Sequence, residues 1–199
     1  MTNDRKTPQR TYPQEVSLGG RLVTLRLMEP SDREAILAFA RNLPHDDLLF
    51  LRLDITTPEG VDEWIQNVKQ GRTHTILALA DGAVVGYASV HHNEVMWTRH
   101  VGEIRVMVHP DFRELKLGRR LTDEVFATAR ELGLKKMMVQ MTPDQKGARA
   151  TFERLGFHVE ALLGDFVVDA EGKTRDLMIM ALDLEGFTDV EHQRVVASA

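Results

Sequence analysis

The chain has 199 residues, 43% of them hydrophobic and 28% charged, with a formal net charge of −5. That length buries a core without covalent staples, and the acidic balance excludes bulk binding to nucleic-acid phosphates. There is no cysteine, which excludes disulfides, thiolate metal sites and a cysteine-borne intermediate, and no apolar run approaches the ~18 residues of a membrane helix.

In chain order, residues 1–15 are polar, carry no apolar signal segment and are expected to form a loose arm. One domain is expected over 16–184, followed by a loose tail over 185–199. Residues 21–27 (RLVTLRL) have the β-branched, partly alternating pattern of a strand. Ser31 and Glu34 have capping-box spacing ahead of a helix whose apolar face is Ile36, Leu37, Phe39 and Ala40, ended by Pro44. A short second helix is expected over 45–53. Thr57 and Pro58 open a third helix with Val61, Trp64, Ile65 and Val68 on one side, stopped at Gly71.

A β block follows. Residues 73–80 and 83–91 flank Asp81 and Gly82, a strong hairpin signal. The longer connection 92–102 holds Trp97, and 103–108 is apolar enough for a central strand. Leu117, Leu121, Val125 and Ala129 make the stripe of a helix closed by Gly133. A strand is expected over 135–141. Pro143, with Thr142 and Gln145 at capping-box spacing, opens a helix bearing Ala148, Phe152 and Leu155 and closed by Gly156. Residues 159–168 and 175–184 form a last hairpin about 169–172, and Met137, Met138, Met141, Met178 and Met180 are expected in the sheet core. The fold class is mixed α/β in a single domain.

The junction between the central strand and the helix after it carries Arg113, Lys116, Arg119 and Arg120, in a chain that is acidic as a whole. A helix start prefers acids, because the positive end of its dipole lies there. Bases at that place suit an anion bound among them and the open N–H groups, and a pyrophosphate is the economical choice. The alternative is a solvated basic helix start.

The strand ends in Val108-x-Pro110, followed by Arg113-x-x-x-x-Gly118 opening the helix. Downstream, Gln145, Ala148, Phe152, Gly156 and Phe157 stand in order. This layout resembles the GNAT superfamily of acyl-CoA-dependent N-acetyltransferases over roughly residues 23–182, whose motifs read Arg/Gln-x-x-Gly-x-Gly/Ala and Asn-x-x-Ala-x-x-x-Tyr-x-x-x-Gly-Phe.

The resemblance implies a mixed central sheet flanked by helices, with a splayed central strand. Acetyl-CoA would be the co-substrate, with no metal. The N–H groups of Leu117, Gly118, Arg119 and Arg120 would wrap the pyrophosphate, Arg113 would shape the loop, and Met107 and Val108 would pair with the pantetheine amides, much as a ligand strand adds to a sheet edge. The helix with Gln145 and Phe152 would flank the thioester.

Three residues depart from the family pattern. Lys116 replaces a glycine, Gln145 an asparagine, and Phe152 the tyrosine that often serves as general acid. A thiol of pKa about 8.5 leaves with modest help, whereas neutralising a lysine-like amine at pH 7 costs roughly 4.6 kcal/mol, so a base matters more than an acid. Glu103, on the central strand, is the expected base, with His91 or His92 as alternatives and a structural pairing with Arg105 or Arg26 as the bland reading. The expected activity is a cytoplasmic transfer of acetyl to a primary amine, a small molecule or a protein lysine, by direct attack. The acceptor pocket is expected from 43–60 and 92–102, with Trp97 lining it or packing on the sheet. No nucleic acid or membrane is implied, and the edges of the last hairpin leave room for a homodimer. Competing functions are an acyl-CoA-binding sensor without catalysis and an acyl-CoA hydrolase.

Overall fold

The computed structural model describes residues 10–48, 51, 53–93, 97–169 and 171–184, and every structural statement below concerns these residues. Strands β1 (Gln14–Leu18) and β2 (Arg21–Leu27) precede the helices α1 (Arg33–Arg41), α2 (His45–Leu48) and α3 (Pro58–Lys69). Then come β3 (Thr73–Ala80), β4 (Ala83–His91), β5 (Val101–Val108), α4 (Leu117–Glu131), β6 (Lys136–Met141), α5 (Lys146–Arg154), β7 (His158–Val168) and β8 (Thr174–Asp183). The described strands form one eight-stranded sheet in the order β1-β2-β3-β4-β5-β6-β8-β7. Its pairings are antiparallel except that of β5 with β6.

That parallel pair positions the site. It holds only from Val101↔Lys136 to Glu103↔Met138. Beyond it, β6 continues against β8 and β5 against β4, so residues 104–108 and 139–141 diverge. The backbone of β5 from Ile104 to Val108 therefore presents one edge to a wedge-shaped gap.

Each face of the sheet has its own core. On one, the α4 residues Leu117, Leu121, Val125 and Ala129 pack on Val23, Ile76, Ala88 and Ile104, joined by Phe152 and Phe157. On the other, Ile36, Phe39, Val61 and Trp64 from α1 and α3 cover Leu77 and Tyr87. Met137, Met141, Met178 and Met180 are buried as expected. Met138 is half-buried on the side of the sheet that carries Glu103.

Several local expectations are corrected. The arm expected over 1–15 overlaps ordered structure. The Arg10 N–H donates to Glu131, the Tyr12 hydroxyl to Glu124, and β1 begins at Gln14 and pairs with β2 across the left-handed Gly19 and Gly20. Residues 1–9 and 185–199 lie outside the described residues. The Ser31/Glu34 capping box is replaced by one three residues wide between Glu29 and Asp32, because Pro30 starts a 3-10 turn ahead of α1. Residues 142–145 make a turn instead of the first turn of α5. The Gln145 side chain accepts from the Thr142 N–H at 3.2 Å, and the helix starts one residue later. The short second helix ends at Leu48, and part of the stretch up to 53 lies outside the described residues.

Candidate active site

The link from β5 to α4 is a tight 3-10 turn, Pro110–Leu115, anchored from within. The His109 Nδ1 accepts from the Asp111 N–H, and Phe112 is buried under the Arg21 guanidinium. The Arg113 Nε donates to the Val108 carbonyl at 3.2 Å and its Nη2 pairs with Asp47 on α2, so this arginine ties the loop to the strand end and to a neighbouring helix. Lys116 then turns the chain into α4 with φ 64° and ψ 17°. That left-handed conformation costs a non-glycine residue about 1 kcal/mol.

The first turn of α4 contains no acid, and Lys116 gives no side-chain cap. The N–H groups of Leu117, Gly118 and Arg119 belong to the first turn of α4, where a helix has no intrahelical carbonyl to offer them. Gly118 has no internal reason to be glycine: an added Cβ would meet only Val108 Cγ2, at an ordinary 3.6 Å. Lys116 and Arg119 are exposed beside it.

Arg120 stands apart from this group. Its N–H donates to the Lys116 carbonyl at 3.1 Å, and its guanidinium lies between Gln14 Oε1 at 2.6 Å and the fully buried Glu124 at 2.5 Å. The expectation that it faces the anion is corrected. Glu124 and the β1 segment draw it to the side of the helix.

On the α1–α3 face, next to the point where β5 and β6 part, lies a cavity of about 670 Å³. Its floor is the sheet: Tyr87 and His91 from β4, Glu103 and Arg105 from β5, Met138 from β6. Glu103 is 5% exposed, and Arg105 Nη2 donates to its Oε1 at 3.0 Å. His91 sits directly across from Glu103, and its Nδ1 is 2.9 Å from the Thr73 hydroxyl. Lys136 and Glu160 form one wall, 2.7 Å apart. Burial alone would lower the pKa of the Lys136 ammonium, but Glu160 and Asp183 outweigh it and hold it above the usual lysine range. Arg72 and Glu63 border the opposite side. Among the described residues no group of His, Asp or Glu gathers as a metal site, and no helix is long and apolar enough to cross a membrane.

A family model described as "Acetyltransferase (GNAT) family" matches residues 38–157. The chain belongs to the GNAT acetyltransferase family. It is 25% identical over 166 residues to a Bacillus subtilis protein named "Putative phosphinothricin acetyltransferase YwnH", covering 81% of this chain and 99% of that one. It is 32% identical over 110 residues to the L-amino acid N-acyltransferase MnaT of Escherichia coli, covering 55% of this chain and 63% of that one. Its fold is shared with yncA of Salmonella typhimurium, solved with its cofactor acetyl-CoA. The TM-score is 0.69 at 24% identity, over 83% of this chain and 96% of that one.

Within this GNAT fold the expected site residues separate into groups. Met107 and Val108 lie on the open edge of β5, and Lys116 to Arg119 follow at the helix start. Glu103 opens into the cavity instead. Gln145 is occupied by its own turn, and Phe152 is 7% exposed with its ring edge-on to Phe157 at 5.1 Å, within the core. Trp97 is 83% exposed and lines neither the cavity nor the sheet. The segments 43–60 and 92–102 do contribute, through Leu53, Ile55, His92 and Thr98. Sequence reasoning missed Arg72, Tyr87, Lys136 and Glu160. Of these, Tyr87 was signalled by its place in the alternation of β4, on the same side as His91.

Proposed function

We propose that this GNAT protein transfers the acetyl group of acetyl-CoA to the primary amine of a small, amino-acid-like acceptor, by direct attack with Glu103 as general base. One observation carries the reading: the open edge of β5 runs from the basic helix start to a cavity floored by Glu103. Acetyl-CoA fits that path as co-substrate. The N–H groups of Leu117, Gly118 and Arg119, with Lys116 beside them, would hold its pyrophosphate, and the β5 backbone at Met107 and Val108 would pair with its pantetheine amides. Gly118 supports this, since a helical glycine with no internal contact to relieve is explained by a ligand that approaches the backbone closely.

The acceptor would enter the cavity. An ammonium group of pKa near 10.4 must lose a proton before it attacks, at a cost of roughly 4.6 kcal/mol at pH 7, and Glu103, on the cavity floor, would take that proton. Arg72 at the rim is suited to an acceptor carboxylate. The relatives named for phosphinothricin and for L-amino acids support an acceptor of this size and charge. The same reading leaves a protein lysine as the less favoured acceptor, because the cavity is walled by α3, the sheet and β7.

The experiment is acetyl-CoA-dependent thiol release over a panel of L-amino acids, polyamines and lysine peptides, for the unaltered protein and Glu103→Gln. A rate lowered roughly 100-fold or more, with acetyl-CoA affinity kept, is the expected result. A rate and a melting temperature that fall together would make Glu103 a structural partner of Arg105 instead.

A further inference from the structure

Glu103 stands in the middle of a row that crosses five strands on the cavity side of the sheet. Cross-strand partners run from Thr73 on β3 through His91, Glu103 and Met138 to Ala181 on β8, and all five line the cavity. Neighbouring strands are about 4.8 Å apart, so each end of the row is roughly 10 Å from Glu103. A single amino acid and the side chains that would hold it can span that distance in both directions.

The two ends differ in chemistry. Next to Thr73, Arg72 stands at the rim, and its carbonyl accepts from the His92 N–H at 3.0 Å, which keeps the two residues together. The His92 ring stacks on His74 at 5.5 Å, and its Nε2 is buried with no hydrogen-bond partner among the described residues. A buried polar atom in that state is one that a ligand can satisfy. With the Arg72 guanidinium it suits the two oxygens of one carboxylate. Glu63, exposed on α3 at the same end, disfavours a second anion there.

The other end is apolar. Met138 and Ala181 continue the row, and Ile179 follows Ala181 on the same side of β8. Ala181 has the smallest side chain of those lining the cavity, and it leaves depth that a larger residue would fill. The wall beyond carries charges that are already paired. Lys136 Nζ is 2.7 Å from Glu160 and 3.6 Å from Asp183, and Glu160 is also 3.2 Å from His158. An acidic side chain would find no free cation at this wall and a basic one no free acid, and an ion buried without a partner is costly.

We propose that the acceptor is an α-amino acid with an apolar side chain of leucine to phenylalanine size, its carboxylate at Arg72 and His92 and its side chain over Met138 and Ala181. The proposal deepens the acetyl-transfer reading above and rests on it. With the amine at Glu103 and the carboxylate toward β3, the side chain is left the direction of β6 and β8. Ala181 and Met138 then set the size that is accepted.

The test compares kcat/KM for acetyl-CoA-dependent transfer across acceptors, first with the unaltered protein. Leucine, methionine and phenylalanine should exceed glutamate and lysine by roughly 100-fold. They should exceed isoamylamine and phenethylamine, which match leucine and phenylalanine without the carboxylate, by at least about tenfold, and Arg72→Gln should remove most of that second margin. Ala181→Leu should lower the ratio of phenylalanine to alanine by about tenfold or more, and Met138→Ala, which opens the same end, should raise the ratio of tryptophan to leucine several-fold. A preference for glutamate, lysine, polyamines or amines without a carboxylate overturns the proposal and leaves acetyl transfer standing. Size ratios unmoved in Ala181→Leu and Met138→Ala, with Tm showing both folded, overturn it as well. Binding of acetyl-CoA with no transfer to any amine overturns the transfer reading, and the proposal with it.

Discussion

Replacing Gly118 with alanine should move stability and affinity in opposite directions. Gly118 is the second residue of α4, has no positive φ, and would place its new methyl 3.6 Å from Val108 Cγ2 with no other atom within 4 Å. The free protein therefore gains the helix preference of alanine over glycine, about 0.5–1 kcal/mol, with no clash to offset it. For a chain of this size that is a rise of roughly 1–4 °C in melting temperature. On the proposed reading the same methyl would crowd the N–H groups that hold the pyrophosphate, so acetyl-CoA should bind at least about tenfold more weakly, a loss of roughly 1.4 kcal/mol. Thermal melts of both proteins, alone and across an acetyl-CoA titration, read both quantities in one experiment. If Gly118→Ala binds acetyl-CoA as well as the unaltered protein, the helix start is not the phosphate site and the argument from its glycine fails.

Two further outcomes follow from local structure. Lys116→Gly should stabilise the free protein by about 1 kcal/mol, since it relieves a left-handed residue. It should also weaken acetyl-CoA binding several-fold at low salt and less at high salt, which a titration at two ionic strengths checks. Asp32 supplies a pH dependence. Burial would raise its pKa, but the Arg26 fork at 2.5 and 2.8 Å and the Glu29 N–H outweigh it and hold the carboxyl below its usual value near 3.8. Its stabilisation is then present above that value and lost as pH falls through the lower folded-state pKa. Urea unfolding at pH 7 and pH 3 should show Asp32→Asn less stable by about 1–3 kcal/mol at the higher pH and closer to the unaltered protein at the lower.

The elements that were legible in the sequence are those whose signal is local. The Asp81–Gly82 turn, the α4 stripe from Leu117 to Ala129 and the Thr57 cap of α3 all follow from neighbouring residues, and the structure carries each of them. β1 was not legible because its five residues alternate too briefly to stand out from a polar arm. The overlooked signal was the Gly19–Gly20 pair, which makes the turn back to β2. The start of α5 was misplaced because Thr142, Pro143 and Gln145 satisfy a capping rule that the chain spends on an isolated turn. Arg120 looked like its basic neighbours until Glu124, four residues on, and Gln14, more than a hundred residues away in sequence, took up its guanidinium. The cavity was beyond reach for the same reason. Arg72, Tyr87, Glu103, Lys136 and Glu160 come together only through the pairing of β3 to β8, and no spacing in the chain marks them as neighbours.

The central claim is that acetyl leaves acetyl-CoA for an amine held beside Glu103. The most direct measurement is release of free thiol from acetyl-CoA by the unaltered protein, with and without amines of the panel. The account predicts release that depends on an amine, with an equal yield of N-acetylated acceptor. Release that proceeds equally without any amine would make the protein a hydrolase, and binding of acetyl-CoA with no release under any condition would make it a sensor. Either result would contradict the account.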